Sequence, residues 1–289
     1  MRLLPPIIAL LLALTSSALA GQEHKPQRIA SLNLCTDQIL LMLVPRERIA
    51  SVTHLADQPE YSFTWQQAQG LHKNSGLAEE VVPLQPDLII ASPYSPGSAV
   101  KLLEKFGFPI EIVDIPHSLI EVEPFVKHLG MLVGEPVRAT QIIDTMHKKM
   151  AYAESQLPTG IGRPMTAITY APNGYTAGKN SLENEILVKS GYRNLTADLG
   201  IDSYGNLSVE QLLYSEPDLI VVDDSTNNKN SLAQQITHHP ALKKSMGSRG
   251  FFHVSTNQWL CAGPMAAEMI EQLTMHRIAN SKSADTPTL

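Results

Sequence analysis

The sequence predicts an α/β protein: two similar lobes with parallel sheets, joined by a long helical rod. Three observations carry this. Short apolar runs alternate with helical patterns along most of the chain, which is the signature of parallel strands linked by βα crossovers. An extended stretch of helical spacing lies in the middle. One sequence pattern occurs twice, once on each side of that stretch.

In chain order, Arg28 to Leu34 reads as a buried strand, Thr36 to Val44 as a helix and Arg48 to Val52 as a second strand. Ala78 to Leu84 is helical, and Pro86-Asp87 turns into a strand at Leu88 to Ala91. Ser98 to Phe106 is a helix ending at Gly107, and Ile110 to Ile115 is another strand. From Leu119 to about Gln156 the apolar spacing is helical, interrupted near Gly134-Glu135-Pro136. The part from Val137 carries Ile142, Ile143, Met146 and Met150 on one side and predicts a helix about 30 Å long. The alternation then resumes, with strands at Met165 to Tyr170, Leu219 to Val222 and Phe251 to Val254, and a helix at Ser181 to Lys189. The tail from Ala279 is polar and is expected to fray. The division that results is a signal peptide (1–20), an N-terminal lobe (21–116), a connecting helical segment (117–157), a C-terminal lobe (158–280) and a tail (281–289).

The repeat runs from Glu79 through Pro86-Asp87-Leu88 to Ile90, and again from Glu210 through Pro217-Asp218-Leu219 to Val221. Each copy is a short helix opened by glutamate, a Pro-Asp turn and a buried strand. One such junction is common; two that align without a gap around a central helix favour two similar lobes.

The N-terminus reads as an address. Arg2, the apolar stretch Leu3 to Leu14 and Ala18-Leu19-Ala20 form the three parts of a secretory signal, with cleavage expected before Gly21. The apolar stretch is too short to span a bilayer. No cysteine stands at the cleavage site, so the expectation is a protein free in the periplasm, without a lipid anchor. A net charge of −6 argues against nucleic acid as a partner. With 43% hydrophobic residues the chain reads as a compact globule.

The segment Arg28-Ile29-Ala30-Ser31-Leu32-Asn33, both Glu-to-Pro-Asp-Leu repeats and the segment after Tyr170 resemble the class III periplasmic binding proteins of ATP-driven importers for iron–siderophore complexes and vitamin B12. The resemblance implies two Rossmann-like lobes with parallel sheets, joined by a single long backbone helix, with a ligand cleft of limited motion between the lobes. It also implies a metal chelate as ligand, with no further cofactor, and a membrane permease as partner. Glu79 and Glu210, equivalent in the two lobes, are then the docking handles for the permease. The chain is expected to act as a monomer with one ligand.

Ligands on parallel α/β sheets bind beyond the carboxyl ends of the strands. This nominates Asn33, Leu34, Cys35, His54, Leu55, Pro93 and Tyr94 in the first lobe. In the second it nominates Tyr170, Tyr175, Tyr204, Asp223, Asp224 and Trp259. Aromatic walls with scattered polar groups suit a large, flat, partly apolar ligand. None of these positions is Arg or Lys, which favours a corrinoid or near-neutral hydroxamate over an anionic catecholate. Bland readings stand beside these: Asn33 satisfying a turn, His54 a surface histidine, Asp223 and Asp224 capping a helix.

A bare metal ion would need several His, Asp, Glu or Cys ligands to converge. His54, Cys35, Asp223 and Cys261 are the candidates, without tight spacing. An enzyme is the reading of a different class. The chain has no Gly-x-Ser-x-Gly elbow, and Gly174 to Asn180 departs from a phosphate loop in spacing and in Asn180. Cys35 and Cys261 are expected at the mouths of opposite lobes. Plain buried thiols are favoured, because a bridge there would lock the cleft; a bridge and a ligand contact are the alternatives.

Overall fold

The structure, a computed structural model, describes residues 25–158, 163–223, 240–246 and 250–284. The first lobe contains β1 (Ile29–Ser31), α1 (Leu34–Leu43), β2 (Ile49–Thr53), α2 (Trp65–Ala68), β3 (Lys73–Asn74), α3 (Ala78–Val81), β4 (Leu88–Ala91), α4 (Gly97–Lys105) and β5 (Ile110–Ile112). Its strands are all parallel, in the order β3-β2-β1-β4-β5. Helices α5 (Leu119–Leu132) and α6 (Pro136–Gln156) follow. The second lobe contains β6 (Thr166–Tyr170), β7 (Tyr175–Ala177), α7 (Leu182–Lys189), β8 (Arg193–Asn194), α8 (Leu195–Asp198), β9 (Tyr204–Asn206), α9 (Val209–Ser215), β10 (Leu219–Asp223), α10 (Pro240–Met246), β11 (Phe251–Val254) and α11 (Ala266–Ala284). Its parallel sheet has the order β11-β10-β6-β8, and β7 and β9 form a separate antiparallel ribbon.

The central strands are apolar because both faces are covered; every residue of β4 is buried. One continuous core runs from Ile29 and Leu40 through Phe125, Ile143 and Met146 to Leu187, Val221 and Ile270, so both sheets pack on a shared helical layer. Smaller clusters close the other faces, around Val81 and Leu103 in the first lobe and Leu212 and Leu242 in the second. Helix α6 turns Ala139, Ile143, Met146 and Ala153 inward at helical spacing. The break before it falls at Gly134, whose φ of +71° suits glycine. Glu135 holds this turn against the first sheet, with Arg48 at 2.7 Å and Lys25 at 3.2 Å.

Several boundaries move for local reasons. Asn33 caps α1 by accepting the Cys35 N–H at 2.8 Å, so β1 ends early and Leu34 is helical and buried. Strand β5 stops at Ile112 because its partner β4 ends at Ala91, although the Val113 N–H still reaches the Ala91 carbonyl at 2.9 Å. Helix α11 continues through Ala284, beyond the polar onset at Ala279, because its first turns bury Ala266, Met269, Ile270 and Leu273 and the helix propagates from there.

The repeat has a structural cause. In both copies the helical segment ends on a left-handed residue, Gln85 at φ 46° and Glu216 at φ 44°. The next proline is buried, and the aspartate accepts hydrogen bonds from the chain entering the neighbouring strand. Asp87 takes the N–H groups of Gln27 and Arg28 at 2.7 and 2.8 Å. Asp218 takes the N–H and hydroxyl of Thr166 at 2.7 and 2.9 Å.

Cys35 and Cys261 are joined in a disulfide with Cα atoms 5.4 Å apart. This corrects the expectation of plain buried thiols. Cys261 is 3% exposed and Cys35 packs against the shared core, so the bridge lies in the buried seam between the lobes, away from an open mouth. The Asn257 side-chain amide also donates to the Pro59 carbonyl across the seam, at 2.6 Å.

Candidate functional site

In the first sheet the chain winds from β1 to one edge and then, with β4, to the other, placing a topological switch point between β1 and β4. In the second the corresponding point lies between β6 and β10. The carboxyl ends of these four strands and the segments that follow them carry Asn33, Pro93 and Tyr94 on one side, and Tyr175 with Asp223 on the other.

In the first lobe Tyr94 is 67% exposed, and its hydroxyl is hydrogen-bonded to His117 Nε2 at 3.2 Å. The two rings meet edge to face, and the His117 backbone N–H donates to Glu121 Oε2 at 2.8 Å. Tyr94, Asp114, His117, Glu121 and Phe125 line an open groove of about 690 Å³. His54 is exposed and Leu55 half-buried on the turn after β2. Asn33 spends its side chain on the helix cap.

Asp37, on α1, lies behind Thr53 at the carboxyl end of β2. It is fully buried, and one carboxylate oxygen accepts both the Thr53 N–H, at 3.0 Å, and the Thr53 hydroxyl. Burial outweighs these bonds and pushes its pKa up to about 7. The folded state therefore favours the protonated acid. This group's contribution is fully present below the ordinary carboxylate range and is lost as pH rises through 7. Asp37→Asn, which keeps an acceptor for Thr53, should melt higher relative to wild type at pH 8.5 than at pH 5. A melting difference that does not change with pH would refute this.

In the second lobe Tyr175 and Tyr204 stack with centroids 5.4 Å apart and planes 11° from parallel. They are 45% and 49% exposed. Gly174 makes this possible: its φ is +75°, and a Cβ there would run into the Leu207 carbonyl. The Tyr204 hydroxyl donates to Glu183 Oε2 at 3.2 Å. Asp223 accepts from the Thr256 hydroxyl at 2.7 Å. Tyr170, Tyr175, Glu183, Asp223 and Trp259 line a small cavity of about 60 Å³. Burial raises the Glu183 pKa, and the Asp223 charge acts in the same direction. Burial and the Glu183 charge together raise the Tyr175 and Tyr204 phenols.

Several nominated residues stand elsewhere. Leu34 is in the core. Cys35 has no free thiol, and the bridge removes both cysteines from the ligand set considered for a bare metal ion. Tyr170 is 1% exposed, its hydroxyl donating to the Leu207 carbonyl at 3.2 Å, and it meets the site only as a buried wall of the small cavity. Trp259 is 8% exposed, drawn into the core beside the bridged Cys261, and touches the site only as a wall of the small cavity. Asp224 lies outside the described residues.

A family model described as a periplasmic binding protein matches residues 29–246. The chain belongs to the periplasmic binding protein family. This periplasmic binding protein is similar to the cobalamin-binding protein of Halobacterium salinarum, with 24% identity over 216 residues. That match covers 74% of this chain but only 58% of the relative's length. It is also similar to the vitamin B12-binding protein of Vibrio parahaemolyticus, 23% identical over 245 residues, 82% of this chain and 86% of that one. Its fold matches the periplasmic heme-binding protein RhuT from Roseiflexus sp. RS-1 in apo form, with a TM-score of 0.71 at 22% identity, covering 86% of this chain and 97% of that one.

Two residues of this periplasmic binding protein's site escape the sequence reading. His117 follows the carboxyl end of β5, so the rule applied to the other strands would have found it. Glu183 has no local signal; it sits in the first turn of α7 and enters the site only because the β7–β9 ribbon folds Tyr204 back onto it.

Proposed function

We propose that this protein is the substrate-binding component of an ATP-driven importer, capturing a metal chelate in the cleft and delivering it to an inner-membrane permease. The ligand assigned is a corrinoid; a near-neutral ferric hydroxamate is the second choice. One observation carries the reading. Tyr94, Tyr175 and Tyr204 are exposed at the carboxyl ends of the two sheets, and no lysine or arginine is among the described residues lining the groove or the small cavity. Exposed aromatic faces without guanidinium forks suit a large, flat ligand that is not strongly anionic. Relatives named for cobalamin and vitamin B12 binding support the corrin choice.

The permease is met through Glu79 and Glu210, both exposed in the first turns of α3 and α9. The protein is proposed to work as a monomer in the periplasm, after cleavage before Gly21 and without a lipid anchor. Residues 1–24, where that cleavage falls, lie outside the described residues. No helix among the described residues is long and apolar enough to cross a membrane.

The test is thermal unfolding of the mature protein with cyanocobalamin, a ferric hydroxamate, a ferric catecholate or haem. A ligand at a hundred times its dissociation constant adds about 2.7 kcal/mol of apparent stability. Cyanocobalamin should raise the melting temperature and the catecholate should not. An unchanged melting temperature with all four would sink the proposal.

A further inference from the structure

We infer that Glu183, beside Asp223 in the floor of the second lobe, is a specificity-determining residue that accepts a hydrogen bond from an amide N–H on the corrin edge. The cleft therefore selects an amide-edged ring over one edged by carboxylates. The inference rests on the function proposed above and adds the chemical group that is read.

The cavity of about 60 Å³ lies among Thr169, Tyr175, Thr176, Glu183 and Asp223. That is room for a group of a few heavy atoms, more than one water needs. The half-exposed Tyr175–Tyr204 stack carries the face on which a flat ring can rest, and Tyr175 itself lines the cavity. A peripheral group of a ring seated there would point toward the cavity. Tyr204 and Thr256 orient the two carboxylates through hydroxyl hydrogen bonds. An ionised carboxylate only accepts. No lysine or arginine is among the described lining residues, so an entering carboxylate would meet two acids in a poorly solvated floor. An entering amide would supply the N–H these oxygens take up. Rejection of the anion by like charge and acceptance of the donor by hydrogen bonding act in the same direction.

The test pairs two dicyano corrins with the same metal and ring: cobinamide, whose edge carries amides, and cobyrinic acid, whose edge carries carboxylates. Both are titrated calorimetrically into the mature protein. Wild type should bind cobinamide at least about tenfold more tightly. Glu183→Gln keeps the shape and removes the charge, and should narrow that gap about tenfold, chiefly by tighter binding of the acid. Should Glu183→Gln melt abnormally, Asp223→Asn serves as the second variant with the same expectation. Glu104→Gln, an exposed carboxylate on α4 away from the cavity, should leave both affinities unchanged. Equal affinities for the two rings, or a gap that neither variant alters, overturn the inference while the binding function stands. Binding of neither ring overturns the corrinoid reading, and the inference falls with it.

Discussion

Replacing Cys35 and Cys261 together by alanine is expected to lower the melting temperature by about 5–15 °C, from a loss of about 2–5 kcal/mol. The bridge closes a loop over a sequence separation of 226, so its removal returns much conformational freedom to the unfolded chain. It joins the start of α1 to the segment before α11, where both lobes meet the shared core. The Asn257–Pro59 hydrogen bond crosses the same seam and is the kind of contact that weakens once the bridge is gone. Because Cys261 is nearly inaccessible, reductant without denaturant should act slowly. Thiol counting in denaturant gives the independent check: none before reduction and two after. Two free thiols without reductant would show that the bridge does not form.

Reversing both docking charges, Glu79→Lys with Glu210→Lys, is expected to abolish uptake while ligand affinity and folding stay near wild type. Both side chains are exposed, and both stand in the first turn of a helix leading into a strand. Such a helix runs antiparallel to the strand it feeds, so its N-terminus lies toward the carboxyl edge of the sheet, the edge that bears the cleft. The helix dipole favours a carboxylate there in any case, and its loss accounts for only about 0.3–1 kcal/mol per site. Total loss of uptake with an unaltered melting curve therefore points to a partner surface. Rim charges of this kind set register and encounter rate and weaken with salt, so the single reversals should show a graded loss that is larger at low ionic strength. Uptake by the double variant at the wild-type rate, or loss of ligand binding in the purified protein, would remove these residues from the docking role.

What could be read in advance follows a physical division. Alternation of buried strands with helices, the break at Gly134 and the inward face of α6 are properties of neighbouring residues, and these were legible. So was the Pro-Asp repeat, because a left-handed residue, a buried proline and an aspartate that takes up the entering chain form a local device whose parts lie together in sequence. Two-residue strands such as β3 and β8 carry no apolar run and went unseen. The strand-end rule nominated Tyr94, Tyr175 and Asp223, which line the groove or the small cavity, and also Leu34, which is buried in the core, and Tyr170, which meets the small cavity only as a buried wall. It specifies which loops face the cleft, not which side chains turn toward it.

Periodicity and turn chemistry act over a few residues, and they suffice to specify a two-lobed α/β chain whose strand ends carry the candidate site loops. Long-range packing alone joins Cys35 to Cys261, draws Trp259 inward beside that bridge, and stacks Tyr204 on Tyr175 so that Glu183 enters the candidate site. Those outcomes depend on how whole sheets and helices pack against one another, which brings together residues far apart along the chain and leaves no mark in the pattern around any one of them.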